Sequence, residues 1–176
     1  MIKDWLVERM IAHWTEEVRR NPDDYETWAA IGAAYGKLHR YDDAVTNFKK
    51  AIAANPKYAE AYLGLASAYG HLDQSQEKIE VCREAIRLKP AYAEAHASLG
   101  TAYGRVGRTK DAIQSLTAAL KLKPDFADAR YALGIAYVTL GDEAAAVQQA
   151  CLLERLEASL AKDLREFIHA YKAADS

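Results

Sequence analysis

The chain has 176 residues, of which 51% are apolar and 27% charged, and its formal net charge is −2. This near-neutral charge, with basic residues scattered singly or in pairs, argues against a nucleic-acid partner. No apolar stretch approaches the roughly 20 residues that a membrane-spanning helix needs, so membrane insertion is not expected. Prolines are few, alanines are abundant and β-branched runs are absent, so the composition favours helix throughout.

The first predicted element is an amphipathic helix over residues 2–20. Its apolar stripe consists of Leu6, Val7, Met10, Ile11, Trp14 and Val18. Trp5 lies off this stripe and is predicted to be exposed. The segment has an early acid, Asp4, and lacks the basic start, apolar middle and small-residue cleavage site of a secretory signal. We therefore expect a cytoplasmic protein.

A repeated sequence pattern with a period of roughly 34 residues follows this helix. Four prolines are equally spaced along the chain, at Pro22, Pro56, Pro90 and Pro124. A tyrosine column shares the same period, at Tyr35, Tyr69, Tyr103 and Tyr137. Each unit contains two apolar patterns of helical period, roughly residues 28–38 and 42–54 in the first unit, separated by a two-residue turn. The turns are predicted at His39-Arg40, Asp73-Gln74, Gly107-Arg108 and Gly141-Asp142.

The first unit reads Trp28-x2-Ile31-Gly32-x2-Tyr35, then Ala44-x3-Phe48, then Pro56. This pattern resembles the tetratricopeptide repeat signature. The resemblance implies an all-α fold, a right-handed superhelical solenoid of antiparallel helix pairs, built as a single domain over residues 1–176. Its parts would be an N-terminal capping helix (1–22), repeats 25–58, 59–92, 93–126 and 127–160, and a C-terminal capping helix (161–176).

The second repeat, residues 59–92, departs from this pattern. Lys78 stands in a column of small alanines, and Cys82 replaces the large aromatic residue. We expect Lys78 to extend its amine towards water along the helix surface and the packing of this unit to be poorer. Cys82 and Cys151 have no metal-ligand spacing, so both are interpreted as small buried apolar residues.

The C-terminal region has no Gly or Pro between residues 142 and 171, so helix propensity alone would allow one long helix. A break is nevertheless predicted near Ala158-Ser159, with Ser159 as a weak N-cap, because the last helix must fold back over the fourth unit. The apolar residues of that last helix are Leu160, Leu164, Phe167, Ile168 and Tyr171.

No catalytic arrangement is found in the sequence. The histidines lack metal-ligand spacing, the glycines do not follow strands as in a phosphate-binding loop, and the serines lack the context of a nucleophile elbow. The prediction is a non-enzyme with no catalytic residues, no metal site and no cofactor.

The resemblance places the ligand-binding surface on the concave face, which the first helices of the units line. The predicted partner-binding residues are Lys37, Leu63, Ser67, His71, Thr101, Arg105, Tyr131 and Ile135. Lys37, His71 and Arg105 share one register position and form a basic series. Glu26, Glu60, Glu94 and Asp128 form an acidic series at the helix starts, where carboxylates also stabilise the helix dipole.

Two ligand classes known in the family are disfavoured. The positions that would form a carboxylate clamp hold Ala29, Ala33, Gly64, Glu94 and Ser98, or, one unit later, Leu63, Ser67, Ser98, Asp128 and Ala132. Neither set can clamp a carboxylate. The asparagines, at positions 21, 47 and 55, all lie off the first helices, so an asparagine ladder that holds a peptide backbone is absent.

The leading hypothesis is a scaffold or adaptor that binds a helix or short segment of another protein in its groove. One alternative is a structural module that self-associates into a homo-oligomer through Trp5 or the C-terminal cap. A second is a recruiting or regulatory subunit of an enzyme whose catalytic part lies on another chain.

Overall fold

The computed structural model describes residues 2–174, and all regular structure in that range is helical. The ten helices are α1 Ile2–Arg20, α2 Tyr25–Lys37, α3 Tyr41–Ala54, α4 Ala59–His71, α5 Ser75–Leu88, α6 Ala93–Arg105, α7 Thr109–Leu122, α8 Ala127–Leu140, α9 Glu143–Leu153 and α10 Ala158–Ala174. The predicted all-α fold of paired helices is confirmed, and α1 has the predicted bounds. None of these helices is long and apolar enough to cross a membrane.

The chain divides into two compact units, Met1–Pro90 and Ala91–Ser176. The first contains α1 to α5 and the second α6 to α10. Within each unit, consecutive helices joined by short turns pack against each other as antiparallel pairs. The single-domain organisation, with the boundaries given above, stays a prediction.

The turns inside the helix pairs lie where the sequence predicted them. Gly107 and Gly141 have φ angles of 75° and 85°, the left-handed conformation that ends a helix at low cost only for glycine. His39 and Asp73 take the same conformation at the equivalent positions, with φ angles of 58° and 56°. A non-glycine residue is strained there, so the first two turns store strain that the last two do not.

Phe48 of α3 is central to the core of the first unit. Its ring lies against the backbone of two helices, where a Cβ added to Gly32 would be 3.1 Å from it and one added to Gly64 would collide with it. Glycine at these positions therefore lets α2 and α4 approach the same aromatic ring. Helix α1 covers α2 through Ile11 and Val18, which are both buried.

The second unit uses Leu116 and Leu164 in the same way. Leu116 of α7 packs against the backbone at Gly100, and Leu164 of α10 packs against Gly134. Leu164 is fully buried in a cluster with Leu153 and Ile168. The last helix thus covers the apolar face of α8 and α9, as a terminal helix of an array must.

The structure corrects the position of the C-terminal break. Helix α9 ends at Leu153, a turn covers residues 154–156, and α10 begins at Ala158, so the chain bends before Ser159 and not at it. Ser159 lies inside α10 and its hydroxyl is 3.2 Å from the Glu157 carboxylate, so it does not cap the helix. Leu153 and Leu164 lie on either side of this turn, and both are fully buried in the cluster that contains Val138 of α8.

Two predictions about side-chain burial are wrong. Cys151 is exposed and lies 4.0 Å from the Arg165 guanidinium, whereas Cys82 is buried as predicted. On α1 the predicted stripe is only partly covered, because Leu6 is 55% and Met10 41% exposed.

Trp5 lies as the sequence predicted, whereas the extension of the Lys78 amine towards water stays a prediction. Trp5 is 55% exposed. Lys78 is half-buried, and its amine would lie 3.2 Å from a Cβ on Gly70, so the chain of Lys78 extends across the end of α4.

Candidate functional site

In each of the two compact units an open groove lies between neighbouring first helices of the repeats. Groove 1, in the first unit, lies between α2, α3 and α4 and has a volume of about 310 Å³. Its lining residues are Gly32, Ala33, Gly36, Lys37, Tyr41, Ala44, Phe48, Gly64, Ser67, Ala68 and His71. Small residues form most of its walls, and a Cβ added to Gly36 would meet no atom within 4 Å. A partner backbone can therefore come close to α2.

The rim of groove 1 carries three aromatic rings and a lysine. The Tyr41 ring stacks on the His71 imidazole, and the Tyr41 hydroxyl lies 2.8 Å from Nδ1 of His39. Lys37 and His71 both line the groove and are exposed. No carboxylate is among the described residues that line it. The rim is therefore suited to an acidic group.

Groove 2, in the second unit, lies between α6, α7 and α8 and has a volume of about 490 Å³. Its lining residues are Gly100, Thr101, Gly104, Arg105, Thr109, Ala112, Leu116, Asp128, Tyr131, Ala132, Ile135, Ala136 and Thr139. Arg105 lies in the last turn of α6 and Asp128 in the first turn of α8. Because α6 and α8 both pair antiparallel with α7, these two charges lie towards opposite ends of the groove.

Groove 2 extends about one helical turn further towards the helix starts than groove 1. Asp128 and Tyr131 line it, whereas their register equivalents in α4, Glu60 and Leu63, do not line groove 1. Phe48 fills the base of groove 1, and the smaller Leu116 stands in the same register position in groove 2.

The predicted partner-binding residues separate into the two grooves. Lys37, Ser67 and His71 line groove 1. The residues that line groove 2 are Thr101, Arg105, Tyr131 and Ile135. Leu63 is half-buried on α4 and lines neither groove. Val138, also on α8, is buried in the core of the second unit.

Sequence reasoning missed the contribution of the second helices to the grooves. Tyr41, Thr109 and Leu116 line them although they lie on α3 and α7. Tyr41 and Thr109 are the first residues of those helices and follow the left-handed turn directly. The signal in the sequence was their position beside the turn, because Tyr41, Ser75 and Thr109 share a register position and a hydroxyl group but differ widely in size.

Two members of the acidic series, Glu60 and Glu94, are neutralised by lysines. The Glu60 carboxylate lies 3.0 Å from the Lys89 amine, and the Glu94 carboxylate lies 3.4 Å from the Lys123 amine. The hydrogen bond from Lys89 holds the pKa of Glu60 below its usual value. These acids therefore have a structural role, while Asp128 lines a groove.

The described residues contain no group of three or more His, Cys, Asp or Glu side chains arranged to hold a metal ion. The two grooves are lined by small residues, a few charged side chains and partly exposed aromatic and aliphatic side chains. Such side chains can contact a bound segment of another molecule.

Comparison with known proteins gives one family. The family model of the tetratricopeptide repeat matches residues 29–93 and 98–159, which together are most of the chain. A comparison with curated protein sequences finds no match.

Several solved structures are similar to this one. A crystal structure of MamA is 30% identical, with a TM-score of 0.78, covering 86% of this chain and 89% of that one. YrrB, described as a TPR protein with an unusual peptide-binding site, is 20% identical with a TM-score of 0.75 over 91% of this chain and 84% of that one. The first TPR of Spaghetti (RPAP3), bound to the HSP90 peptide SRMEEVD, is 23% identical with a TM-score of 0.67 over 69% of this chain and 96% of that one.

Proposed function

The chain belongs to the tetratricopeptide repeat family, and we propose that it is a non-catalytic scaffold that binds a helix or short segment of another protein in its grooves. Groove 2 is the observation that carries this proposal. It combines small walls, an apolar base at Leu116 and two half-buried anchors, Tyr131 and Ile135. A partner side chain can bury apolar surface there without any rearrangement of the groove.

Two of the similar structures support binding of this kind. YrrB is described by its peptide-binding site and RPAP3 was solved with a bound peptide. Their sequences are only 20% and 23% identical to this chain, so they support a mode of binding and identify no partner.

The proposal can be tested by selecting peptides from a random display library on the purified chain. Selected peptides should bind with micromolar or better affinity, and Tyr131→Ala should weaken binding by about tenfold or more if this side chain is a hot spot. Leu122→Ala is the matched control, since Leu122 is an exposed apolar residue of α7 that lines neither groove. Peptides that bind all three proteins equally, or a library that yields no binder, would overturn the proposal.

A second candidate function, self-association, is favoured by α1. Trp5, Leu6 and Met10 are exposed together on this helix, and Arg9 lies over the Trp5 ring at 4.7 Å. Exposed apolar side chains clustered on a terminal helix often mark an interface. Light scattering of the pure chain should then give a dimer or larger species, and Trp5→Ser together with Leu6→Ser should return the monomer mass. A monomer at all concentrations would exclude this candidate.

A further inference from the structure

We propose that Asp128 sets the charge specificity of groove 2 by binding a Lys or Arg side chain of the partner segment. The apolar side chains of that segment pack on Tyr131 and Ile135. This inference rests on the function proposed above and deepens it, because it states which chemistry the groove selects. It concerns the second unit alone.

Two of the acids that share the register position of Asp128 are neutralised by a lysine. Glu60 and Glu94 each form an ion pair with the lysine 29 residues further along the chain, Lys89 and Lys123 respectively. Each of these lysines directly follows the second helix of its repeat, α5 or α7. The acid in the first turn of the repeat's first helix is thus neutralised from inside the same repeat.

The fourth repeat lacks this neutralising lysine. Helices α5 and α7 have 14 residues, whereas α9 has 11 and ends at Leu153. The residue at the equivalent spacing after Asp128 is Glu157, which is itself an acid. No hydrogen bond or ion pair to the Asp128 carboxylate occurs within residues 2–174. An uncompensated carboxylate therefore stands at one end of groove 2.

Asp128 differs from Glu60 and Glu94 in position as well as in pairing. It lines a groove, whereas Glu60 and Glu94 line neither groove. Asp128, Tyr131 and Leu116 all line groove 2, so the Asp128 carboxylate and the Tyr131 ring border the same space. The carboxylate can then contact a ligand that also buries apolar atoms beside it.

The spacing on α8 defines the matching segment. Asp128, Tyr131 and Ile135 are separated by three and four residues, so they lie on one face of the helix. At 1.5 Å per residue, Asp128 and Ile135 are about 10 Å apart along the axis. A basic residue and an apolar residue can span this distance seven positions apart in a helix or three apart in an extended segment.

The Asp128 carboxylate would both attract a basic side chain of the partner and repel an acidic one. A Lys or Arg side chain that donates to Asp128 forms a charge-assisted hydrogen bond. An acidic side chain at the same place would meet an unneutralised carboxylate and be repelled. An acid in a first helical turn also stabilises the helix dipole. If Asp128 only stabilised the helix dipole, its replacement would change the stability of α8 and would leave the preferred charge of the bound segment unchanged.

The test compares peptide selections from one random display library on four purified proteins: the parent, Asp128→Asn, Asp128→Lys and Glu94→Gln. Glu94→Gln is the matched control, since it removes an acid at the same register position that lines neither groove. Thermal unfolding followed by circular dichroism verifies that each variant is folded.

We expect peptides selected on the parent to be enriched in Lys or Arg at a fixed spacing from an apolar residue. Asp128→Asn should lose that enrichment and bind a parent-selected peptide about tenfold more weakly, the effect of roughly 1.4 kcal/mol that one charge-assisted hydrogen bond contributes. Asp128→Lys should select Asp or Glu instead, and Glu94→Gln should behave as the parent does.

Two outcomes would overturn the inference and are distinguishable. If Tyr131→Ala abolishes binding but Asp128→Asn and Asp128→Lys select the same peptides as the parent, groove 2 binds without reading charge at Asp128. If Glu94→Gln changes the selected peptides as strongly as Asp128→Asn does, the charge preference arises from the overall charge of the protein and not from contact with Asp128. A parent that selects no peptide at all removes the proposed function, and this inference with it.

Discussion

The Tyr41 ring lies parallel to the His71 imidazole, with 4.3 Å between the ring centroids and 5° between the ring planes. This contact joins the first residue of α3 to the last residue of α4 at the rim of groove 1. It therefore links two neighbouring repeats of the first unit at a point where neither helix buries much surface.

The first prediction concerns this stacked pair. Tyr41→Leu and His71→Leu keep apolar bulk but remove the stacking, so a double-mutant cycle should give a coupling free energy of about 0.5–1 kcal/mol. Urea unfolding of the parent, both single variants and the double variant measures it. Strictly additive effects would mean that the rings touch without stabilising the first unit.

Gly104 and Gly107 form a matched pair for a second prediction. A Cβ added to either would meet no atom within 4 Å, but Gly107 has a positive φ and Gly104 lies in α6. Gly107→Ala should destabilise by about 1–2 kcal/mol, because an L side chain is strained in that conformation. Gly104→Ala should stabilise by up to about 1 kcal/mol through helix propensity. Thermal unfolding measures both changes in stability, and changes of the same sign in the two variants would contradict the explanation.

A third prediction concerns the N-cap of α2. Asp24 accepts hydrogen bonds from the Thr27 amide at 3.1 Å and the Thr27 hydroxyl at 2.7 Å. Asp24→Ala should cost about 1 kcal/mol of unfolding free energy, while Asp24→Asn should retain most of the cap. Asp142→Ala is the comparison, since Asp142 caps α9 through the Ala145 amide. Equal stability of Asp24→Ala and the parent would exclude a capping role.

The same cap predicts a pH dependence. The hydrogen bonds from the hydroxyl and then the backbone of Thr27 hold the pKa of Asp24 below its usual value. The stabilisation is therefore fully present above the unfolded-state pKa of about 4 and is lost as the pH falls through the lower folded-state pKa. Urea unfolding between pH 7 and pH 2 should show this loss in the parent. Asp24→Asn should show a correspondingly smaller loss, since its amide does not titrate.

The fourth prediction separates charge from anchoring in the grooves. For a segment bound in groove 1, Lys37→Glu should slow association and change its salt dependence, because a rim charge acts on the approach of the ligand. For a segment bound in groove 2, Tyr131→Ala should mainly speed dissociation, by about tenfold or more if the ring is a true anchor. Surface plasmon resonance at two salt concentrations resolves both rates. Association and dissociation altered equally by both variants would contradict this division of roles.

The positions of helices and turns were accessible from the sequence because they depend on local chemistry. The equally spaced prolines, the capping acids and Gly107 and Gly141 act on backbone conformation within a few residues of themselves. The two-residue turns and the bounds of α1 were therefore predictable. The assignment of binding residues to the first helices rested on register. Seven of the eight predicted residues line a groove, whereas Leu63 does not, and the lining contributed by α3 and α7 was missed.

Tertiary packing decided what local chemistry leaves open. No Gly or Pro between Asp142 and Tyr171 forces a break, yet the turn falls at residues 154–156, between Leu153 and Leu164, which are both buried in one cluster with Val138 of α8. Cys151 is exposed although it lies 4.0 Å from Arg165 of α10, whereas Ala150 and Leu153 of α9 are fully buried. The depth of each groove depends on which side chain lies beneath it, and whether an acid is neutralised depends on how far the second helix runs. These outcomes are set by distances between residues remote in the chain, which the one-dimensional pattern does not contain.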